Sequence, residues 1–308
     1  MASRIPMHLA ILVAYFLIYV VWGSTYYLIG VALRELSPFL LGAVRFSAAG
    51  LILLGLCAAH GERVLSLPLI RRSAMSGIIL LFVDMAVIML AQRYVTSSLV
   101  AIMASSTALW ILLLDVPRWK QNMHSPLTIG GMLTGFAGVL MLYGEQFTLE
   151  SAHEGQGTRG MLILILGCIS WALGTLYAKY RSSQVEATHA FAGSAWQMIF
   201  ASAAFWLCTI TLEPGSSGQL LIASETTWLA LVYLIVCGSI LAYSAYVWLL
   251  KVRPAAEVAT HAYVNPVVAV VIGVCIGHEQ VSLLQLTGLC IILAGVILIS
   301  LNTSTQAP

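Results

Sequence analysis

Apolar residues run through this chain in ten long stretches separated by short polar segments, near residues 9–29, 38–58, 74–92, 98–114, 126–143, 160–180, 188–211, 227–249, 257–277 and 282–301. Most of them reach the roughly 20 residues that a helix needs to cross a hydrocarbon core of about 30 Å. The period-two alternation of a membrane barrel is absent. A continuous helix is then the one open-ended element that satisfies its own backbone hydrogen bonds in lipid. The pattern predicts an all-α polytopic membrane protein with ten transmembrane helices. The first stretch exceeds the apolar region of a signal peptide, and Thr25-Tyr26-Tyr27-Leu28-Ile29 at its end lacks a small-x-small cleavage site, so it reads as a retained helix.

Composition narrows the class further. Of 308 residues, 60% belong to the AVILMFWYC set and 8% are charged, against about a quarter charged in a soluble domain. The connecting segments leave almost no room for an aqueous domain. The six cysteines (Cys57, Cys168, Cys208, Cys237, Cys275 and Cys290) fall within or at the ends of apolar stretches without metal-ligand spacing, so no disulfide framework, metal or cofactor is expected. The net charge is +2 with no basic run, and no nucleic-acid partner is implied.

The distribution of the fourteen Lys and Arg residues orients the chain. With the N-terminus inside, cytoplasmic segments hold Arg4, Arg63, Arg71, Arg72, Arg118, Lys120, Lys179, Arg181, Lys251 and Arg253, the outer loops hold Arg34, Arg93 and Arg159, and Arg45 lies within a span. The positive-inside rule therefore places both termini in the cytoplasm of a bacterial inner membrane. In the first half the basic loops are the second and fourth; in the second half they are the first and third. A five-helix unit repeated upside down gives this swap.

The longest polar segment, Gly144 to Arg159, is the natural joint, and it divides the chain into a first repeat at 1–148 and a second at 149–308. Trp22-Gly23 answers Trp171-Ala172, Gly42 answers Gly193, and Gly131 with Ala137-Gly138-Val139 answers Gly288 with Ala294-Gly295-Val296. Chance matching of small residues is the competing explanation. The glycines at 131, 135, 138, 288 and 295 let backbones approach, so the fifth and tenth spans read as packing helices.

Ionisable groups cost about 3 kcal/mol or more at the bilayer centre, which makes intramembrane polar residues candidates for function. On the ninth span Glu257, His261 and Asn265 step by four along one helical stripe. Pro266 follows and removes a backbone donor, so this span is expected to be kinked, with a free carbonyl and an amide at mid-membrane. Glu257 lies near the cytoplasmic mouth, where pairing with Lys251 or Arg253 competes with a coupling role. Asp84, about ten residues into the third span, is a candidate proton carrier; a structural hydrogen bond to a neighbouring helix is the alternative. Arg45 is expected to snorkel or pair with Glu35.

Tyr15, Tyr19, Trp22 and Tyr26 recur at helical spacing and form one aromatic face on the first span, while Tyr243 and Tyr246 do so on the eighth. Such side chains suit a partly wet, partly apolar cavity for an organic solute. An interfacial belt is the other reading, favoured for Tyr26, Tyr27 and Trp119. His278-Glu279 is not a zinc-protease motif, since Ser282 stands where the second histidine is required. A Gly-x-Ser-x-Gly elbow and a phosphate-binding loop are also missing, which removes a serine hydrolase and an ATP-driven pump.

Trp22-Gly23-Ser24-Thr25-Tyr26, Arg45-Phe46 before Ala49-Gly50, Ile169-Ser170-Trp171-Ala172, the run Tyr263 to Val270, and Gly277-His278-Glu279 before Gly288 resemble the EamA-type ten-helix exporters of the drug/metabolite transporter superfamily, in particular its YedA-like branch. The resemblance covers nearly the whole chain. It implies an inner-membrane exporter of amino acids, related metabolites or drugs, with a central cavity between the halves and alternating access. Two departures stand out. Ala108 occupies the place where the family carries a proline mirroring Pro266, which removes the expected second kink, and Val83-Asp84 replaces a small residue and asparagine, which adds a proton carrier.

These readings converge on a secondary transporter that moves a small organic solute through a cavity bordered by spans 1, 3, 4, 6, 8 and 9. Tyr15, Tyr19, Trp22, Asp84, Trp171, Tyr243, Tyr246, His261 and Asn265 are the candidate solute-facing residues, Pro266 shapes the site, and Asp84 and Glu257 are candidates for proton coupling. Lipid and protons are the remaining expected partners, with a monomer favoured. A channel-like facilitator or lipid flippase of the same fold is the alternative. An intramembrane enzyme would need a paired nucleophile and base or a metal set, and neither appears at recognisable spacing.

Overall fold

Many of the helices start on a hydroxyl side chain, often followed closely by proline, which supplies the backbone cap that a helix start otherwise lacks. Thr96 Oγ1 accepts from Leu99 N (3.3 Å), Ser125 Oγ from Thr128 N (3.4 Å), Ser224 Oγ from Thr227 N (3.4 Å) and Ser282 Oγ from Gln285 N (2.9 Å). Two more begin at Ser37-Pro38 and Ser66-Leu67-Pro68, where the serine makes no side-chain cap and the proline presets the first turn. The computed structural model describes residues 6–62, 64–119, 125–150, 156–177, 180, 190–253, 258 and 260–305.

Among these residues the chain is helical, without strands. The main helices are α1 (Met7–Ala32), α2 (Pro38–Ala59), α3 (Leu67–Ala91), α4 (Ser97–Leu114), α5 (Pro126–Glu150), α6 (Gln156–Tyr177), α7 (Ala190–Leu212), α8 (Glu225–Leu249), α9 (His261–Cys275) and α10 (Leu283–Thr305). The first eight contain stretches long and apolar enough to cross a membrane, whereas α9 and the apolar part of α10, Leu283–Ile299, are shorter. Several boundaries differ from the hydropathy reading; α5, for example, runs to Glu150 where the apolar stretch ends near 143. The third helix begins at Leu67 and not near 74, because Pro68 and an amphipathic first turn carrying Arg71 and Arg72 extend it beyond its apolar core. The ninth begins at His261, and Glu257 lies outside the described residues.

Five helices, α2, α5, α6, α7 and α10, are continuous. The other five are interrupted within the apolar stretch. Wide π-helical turns occupy Leu17–Val21 in α1, Gly77–Val83 in α3 and Leu234–Tyr243 in α8, while α9 carries Pro266 internally. The helix α4 breaks into Ser97–Ala104 and Thr107–Leu114. That break corrects the expectation that Ala108 leaves this span straight. Ser105 Oγ donates to Ile102 O (2.6 Å) and Ser106 Oγ to Met103 O (2.7 Å), and Ser106 N bonds the carbonyl three residues back (3.0 Å). Paired serines thus tighten and turn the helix without proline. Cys168 on α6 donates to the same Met103 carbonyl (3.5 Å), and its Sγ lies 3.7 Å from Ser106 Oγ, so the break has a partner on a neighbouring helix.

The continuous helices supply the frame. The most extensive pairings join α5 to α10 and α2 to α7. A Cβ on Gly295 would lie 2.5 Å from Gly131 O, and one on Gly131 would lie 2.5 Å from Gly295 O, so the two backbones touch at these glycines. On the other pair, Gly42 leaves space for the Phe205 ring, whose nearest atom is 2.5 Å from an added Cβ. The interrupted helices pack between these pairs, with α1 against α9, α8 and α4, and α3 against α6 and α7.

Gly295→Leu is expected to force α5 and α10 apart, at a cost of about 1–3 kcal/mol or more for overpacking. A lower unfolding temperature in detergent checks this; a transition unchanged from the parent chain would mean that the pair tolerates a gap.

Candidate functional site

Trp22 lies directly after the π-helical turn of α1 and stands at the centre of a cluster drawn from four helices. Its ring centroid is 6.2 Å from that of Trp171 on α6, 6.3 Å from Tyr243 and 5.3 Å from Tyr246 on α8, and 5.4 Å from His261 on α9. Tyr15 and Tyr19 pair at 5.4 Å one turn away, and Tyr19 shares a 2.5 Å hydrogen bond with Thr260. Tyr15, Tyr19, Trp22 and Tyr246 pack on a small apolar group of Ala14, Ile18, Ala245, Leu249 and Val258, while Tyr243 belongs to the main core and Trp22 touches both. The structure therefore brings together Tyr15, Tyr19, Trp22, Trp171, Tyr243, Tyr246 and His261, in a close-packed arrangement of rings.

The polar atoms of this cluster are held in specific ways. His261 Nδ1 is 2.8 Å from Val258 O; a carbonyl only accepts, so Nδ1 carries the proton and a neutral ring leaves Nε2 as an acceptor. Asn265 is buried, and with its amide nitrogen turned toward the surrounding carbonyls its two N–H donors serve Ile18 O (2.8 Å) and Tyr19 O (2.9 Å), with His261 O at 3.2 Å. The first two belong to the π-helical turn of α1, so Asn265 staples the irregular part of α1 to the proline-interrupted α9. Gly23 permits the approach, since a Cβ there would sit 2.8 Å from Val268 Cβ and 3.1 Å from Asn265 O.

Asp84 follows the π-helical turn of α3 and is 7% exposed. It lies near Tyr26 and Cys168, with Oδ1 3.8 Å from where a Cβ on Gly167 would be. The carboxylate thus lies against α6 at Gly167. Arg45 is 2% exposed and neither snorkels nor pairs with Glu35. Its Nε donates to Ser239 Oγ (2.8 Å) in the π-helical part of α8, and its guanidinium carbon lies 5.0 Å from the Phe46 ring centroid. Glu35 instead accepts from Ser224 N (2.7 Å), a donation that holds its carboxyl below the usual range. Among the described residues, Asp84 and Arg45 form no ion pair.

Sequence reasoning missed Gln197 on α7. It is buried, accepts from the Tyr243 hydroxyl and donates to Ser76 Oγ (2.9 Å), linking α8, α7 and α3. The available signal was a lone amide within an apolar stretch. Serines were missed for the same reason. Ser24 reaches Tyr233 (2.8 Å), and Ser170 donates to Ile79 O (3.1 Å) in the π-helical turn of α3. Away from the aromatic cluster, where α1 ends and α4 begins, a cavity of about 400 Å³ is lined by Tyr27, Arg34, Gln92, Arg93, Ser97 and Glu279 among others.

A helical bundle of this kind, with buried polar groups dispersed over interrupted helices and not assembled as nucleophile and base, defines the architecture of a membrane transporter. The EamA-like transporter family matches residues 8–144 and again 158–301. The chain belongs to the EamA-like transporter family, and it is a transporter and not an enzyme. It is 29% identical to the uncharacterized inner membrane transporter YedA of Escherichia coli K12, over 94% of this chain and 90% of that one. It is 23% identical to a probable amino-acid metabolite efflux pump of the same organism, over 91% of each chain. A solved crystal structure matches the fold with a TM-score of 0.64 at 20% identity, covering 98% of this chain and 100% of that chain.

Asn265→Ala leaves the Ile18 and Tyr19 carbonyls without this donor and is expected to cost about 1–3 kcal/mol of stability. Asn265→Asp, nearly the same size, is expected to cost at least as much, because it turns acceptors toward acceptors. Thermal unfolding of the purified protein checks both, and an aspartate variant as stable as the parent would remove the staple.

Proposed function

We propose that this transporter is a secondary carrier exporting a small organic solute, most simply an amino acid or an aromatic-like metabolite, across the bacterial inner membrane by alternating access. The observation that carries this reading is the gathering of Trp22, Trp171, Tyr243, Tyr246 and His261 from four helices. A flat or apolar solute body can exchange for ring-on-ring contacts, and the neutral His261 ring offers a hydrogen bond to a solute N–H. The name of one relative, a probable amino-acid metabolite efflux pump, supports the solute class and the outward direction. That of another, an inner membrane transporter, supports the location.

In this reading ten spans form two inverted five-helix repeats, residues 1–148 and 149–308, with both termini in the cytoplasm. Three features support it: the swap of basic loops, the family match in two stretches, and the pairing of α2 with α7 and of α5 with α10, each helix with its counterpart. Two further counterpart pairs share irregularity, α3 with α8 through π-helical turns and α4 with α9 through the serine break and Pro266, whereas α1 is interrupted and α6 is not. The continuous pairs would be the frame, and the interrupted helices the moving, solute-lining part. Tyr15, Tyr19, Trp22, Trp171, Tyr243, Tyr246 and His261 would meet solute, while Asn265 and Pro266 would shape the site. Asp84, buried on α3 against α6, would carry the coupling proton.

Purified protein in vesicles, offered a panel of amino acids and dyes with and without a pH gradient, tests the reading. Saturable uptake accelerated by unlabelled solute on the far side is expected; a chemically modified product or a flux that never saturates would overturn it. Asp84→Asn is expected to abolish the pH-driven component while leaving exchange of solute for solute. Unchanged pH dependence in that variant would remove Asp84 from coupling.

A further inference from the structure

Glu279 is held by the α9–α10 connection at the end of the bundle where α4 begins, and its carboxylate takes four donors from two consecutive residues. Oε1 accepts from Ser97 N (3.2 Å) and Ser97 Oγ (2.5 Å), and Oε2 from Ser98 N (3.0 Å) and Ser98 Oγ (2.5 Å). Ser97 and Ser98 are buried at 4% and 0% exposure. A negative charge on the unpaired amides of a helix start is favourable through both hydrogen bonding and the helix dipole.

The connection is shaped to deliver this carboxylate. Glu279 N donates to Gly273 O (2.9 Å), and His278 before it adopts φ of 52°, a conformation uncommon outside glycine. Gly273 gives the room, because a Cβ there would lie 2.4 Å from Ser98 Oγ and 2.7 Å from Glu279 Oε2. Any larger residue would push α9 off the start of α4. Two other carboxylates make caps at this end. Glu213, after α7, accepts from Phe39 N (3.3 Å) and Leu40 N (3.1 Å) at the start of α2, and Glu35 accepts from Ser224 N at the start of α8. The Glu213 cap lies on the glycine-packed α2–α7 pair. The Glu279 cap joins two interrupted helices, α4 and α9, beside the 400 Å³ cavity.

We propose that Glu279 is the gating residue of this end of the transporter: its carboxylate latches α9 and the α9–α10 connection onto the start of α4, and the latch must release for solute to pass there. The inference rests on the carrier reading above, in which each end opens in turn. Release separates the carboxylate from Ser97 and Ser98 and exposes the stripe of α4 just beneath them. Ala101, three and four residues further along and 0% exposed, lies on that stripe.

The test uses the full chain and no solute, so it can fail while transport itself stands. Ala101→Cys is placed in the parent chain, in Glu279→Gln, in Glu279→Asp and in Glu213→Gln. Alkylation of the peptide containing position 101 by a water-soluble maleimide is followed by mass spectrometry. Glu279→Gln is expected to raise the rate at least tenfold, Glu279→Asp to restore part of the protection, and Glu213→Gln to leave the rate at the parent value. Hydrogen exchange at the amides of residues 97 and 98, measured in Glu279→Gln without the cysteine, is expected to quicken, with exchange in α2 and α7 unchanged. A parent-like rate in Glu279→Gln would overturn the latch, as would an equal rise in Glu213→Gln, which would mark general loosening.

Discussion

The structure depends on one constraint: every backbone N–H and C=O in the apolar interior needs a partner, because lipid offers none. Continuous helices meet it internally and can be packed through small residues, as at Gly131 and Gly295. Interrupted helices cannot do so throughout, and three of the interruptions here are met by side chains. Asn265 serves the π-helical turn of α1, Ser170 on α6 serves that of α3, and the break in α4 is served by its own serines and by Cys168. Some buried polar side chains answer this requirement, while others, such as Arg45 and Gln197, bond other side chains across helices.

The interruptions separate frame from working parts. Unbroken helices bearing close glycine contacts resist relative motion, since their backbones already touch. Interrupted helices have local hydrogen bonds that can be exchanged for others at modest cost, and they supply Asp84, the α4 start that the Glu279 latch holds, and the aromatic cluster apart from Trp171 on α6. Buried Arg45 belongs to the same pattern. Its charge is not balanced by an acid among the described residues; it is held by the Ser239 hydroxyl and the Phe46 ring between a straight helix and a π-helical one.

Much of the helical layout was legible in the sequence because hydropathy and hydroxyl or proline starts set helix ends directly, as at Ser37-Pro38 and Ser125-Pro126. The gathering of Trp22, Tyr243, Tyr246 and His261 could be suspected from helical spacing, but its three-dimensional closure depends on π-helical turns that no proline or glycine pattern announces. The break at Ser105-Ser106 was hidden by attention to proline, although paired hydroxyls can turn a helix as well. Arg45 was misplaced since its depth along a span says little about which neighbour has room for it; Gly238 and Ser239 on α8 decide that. Glu279 was visible as half of a failed zinc motif and as part of the Gly277-His278-Glu279 resemblance, but its contacts lie with residues 181 and 182 positions away, which sequence does not show.

The division into frame and solute-lining helices is tested most directly by single cysteines placed along α8 and, as the control, along the frame helix α7, each exposed in vesicles to a water-soluble thiol reagent with and without transported solute. Reaction at mid-helix positions of α8 around Tyr243 that solute suppresses, with α7 silent over the same depth, is the expected result. Solute-protected labelling along α7, or an α8 that stays unreactive throughout, would contradict it.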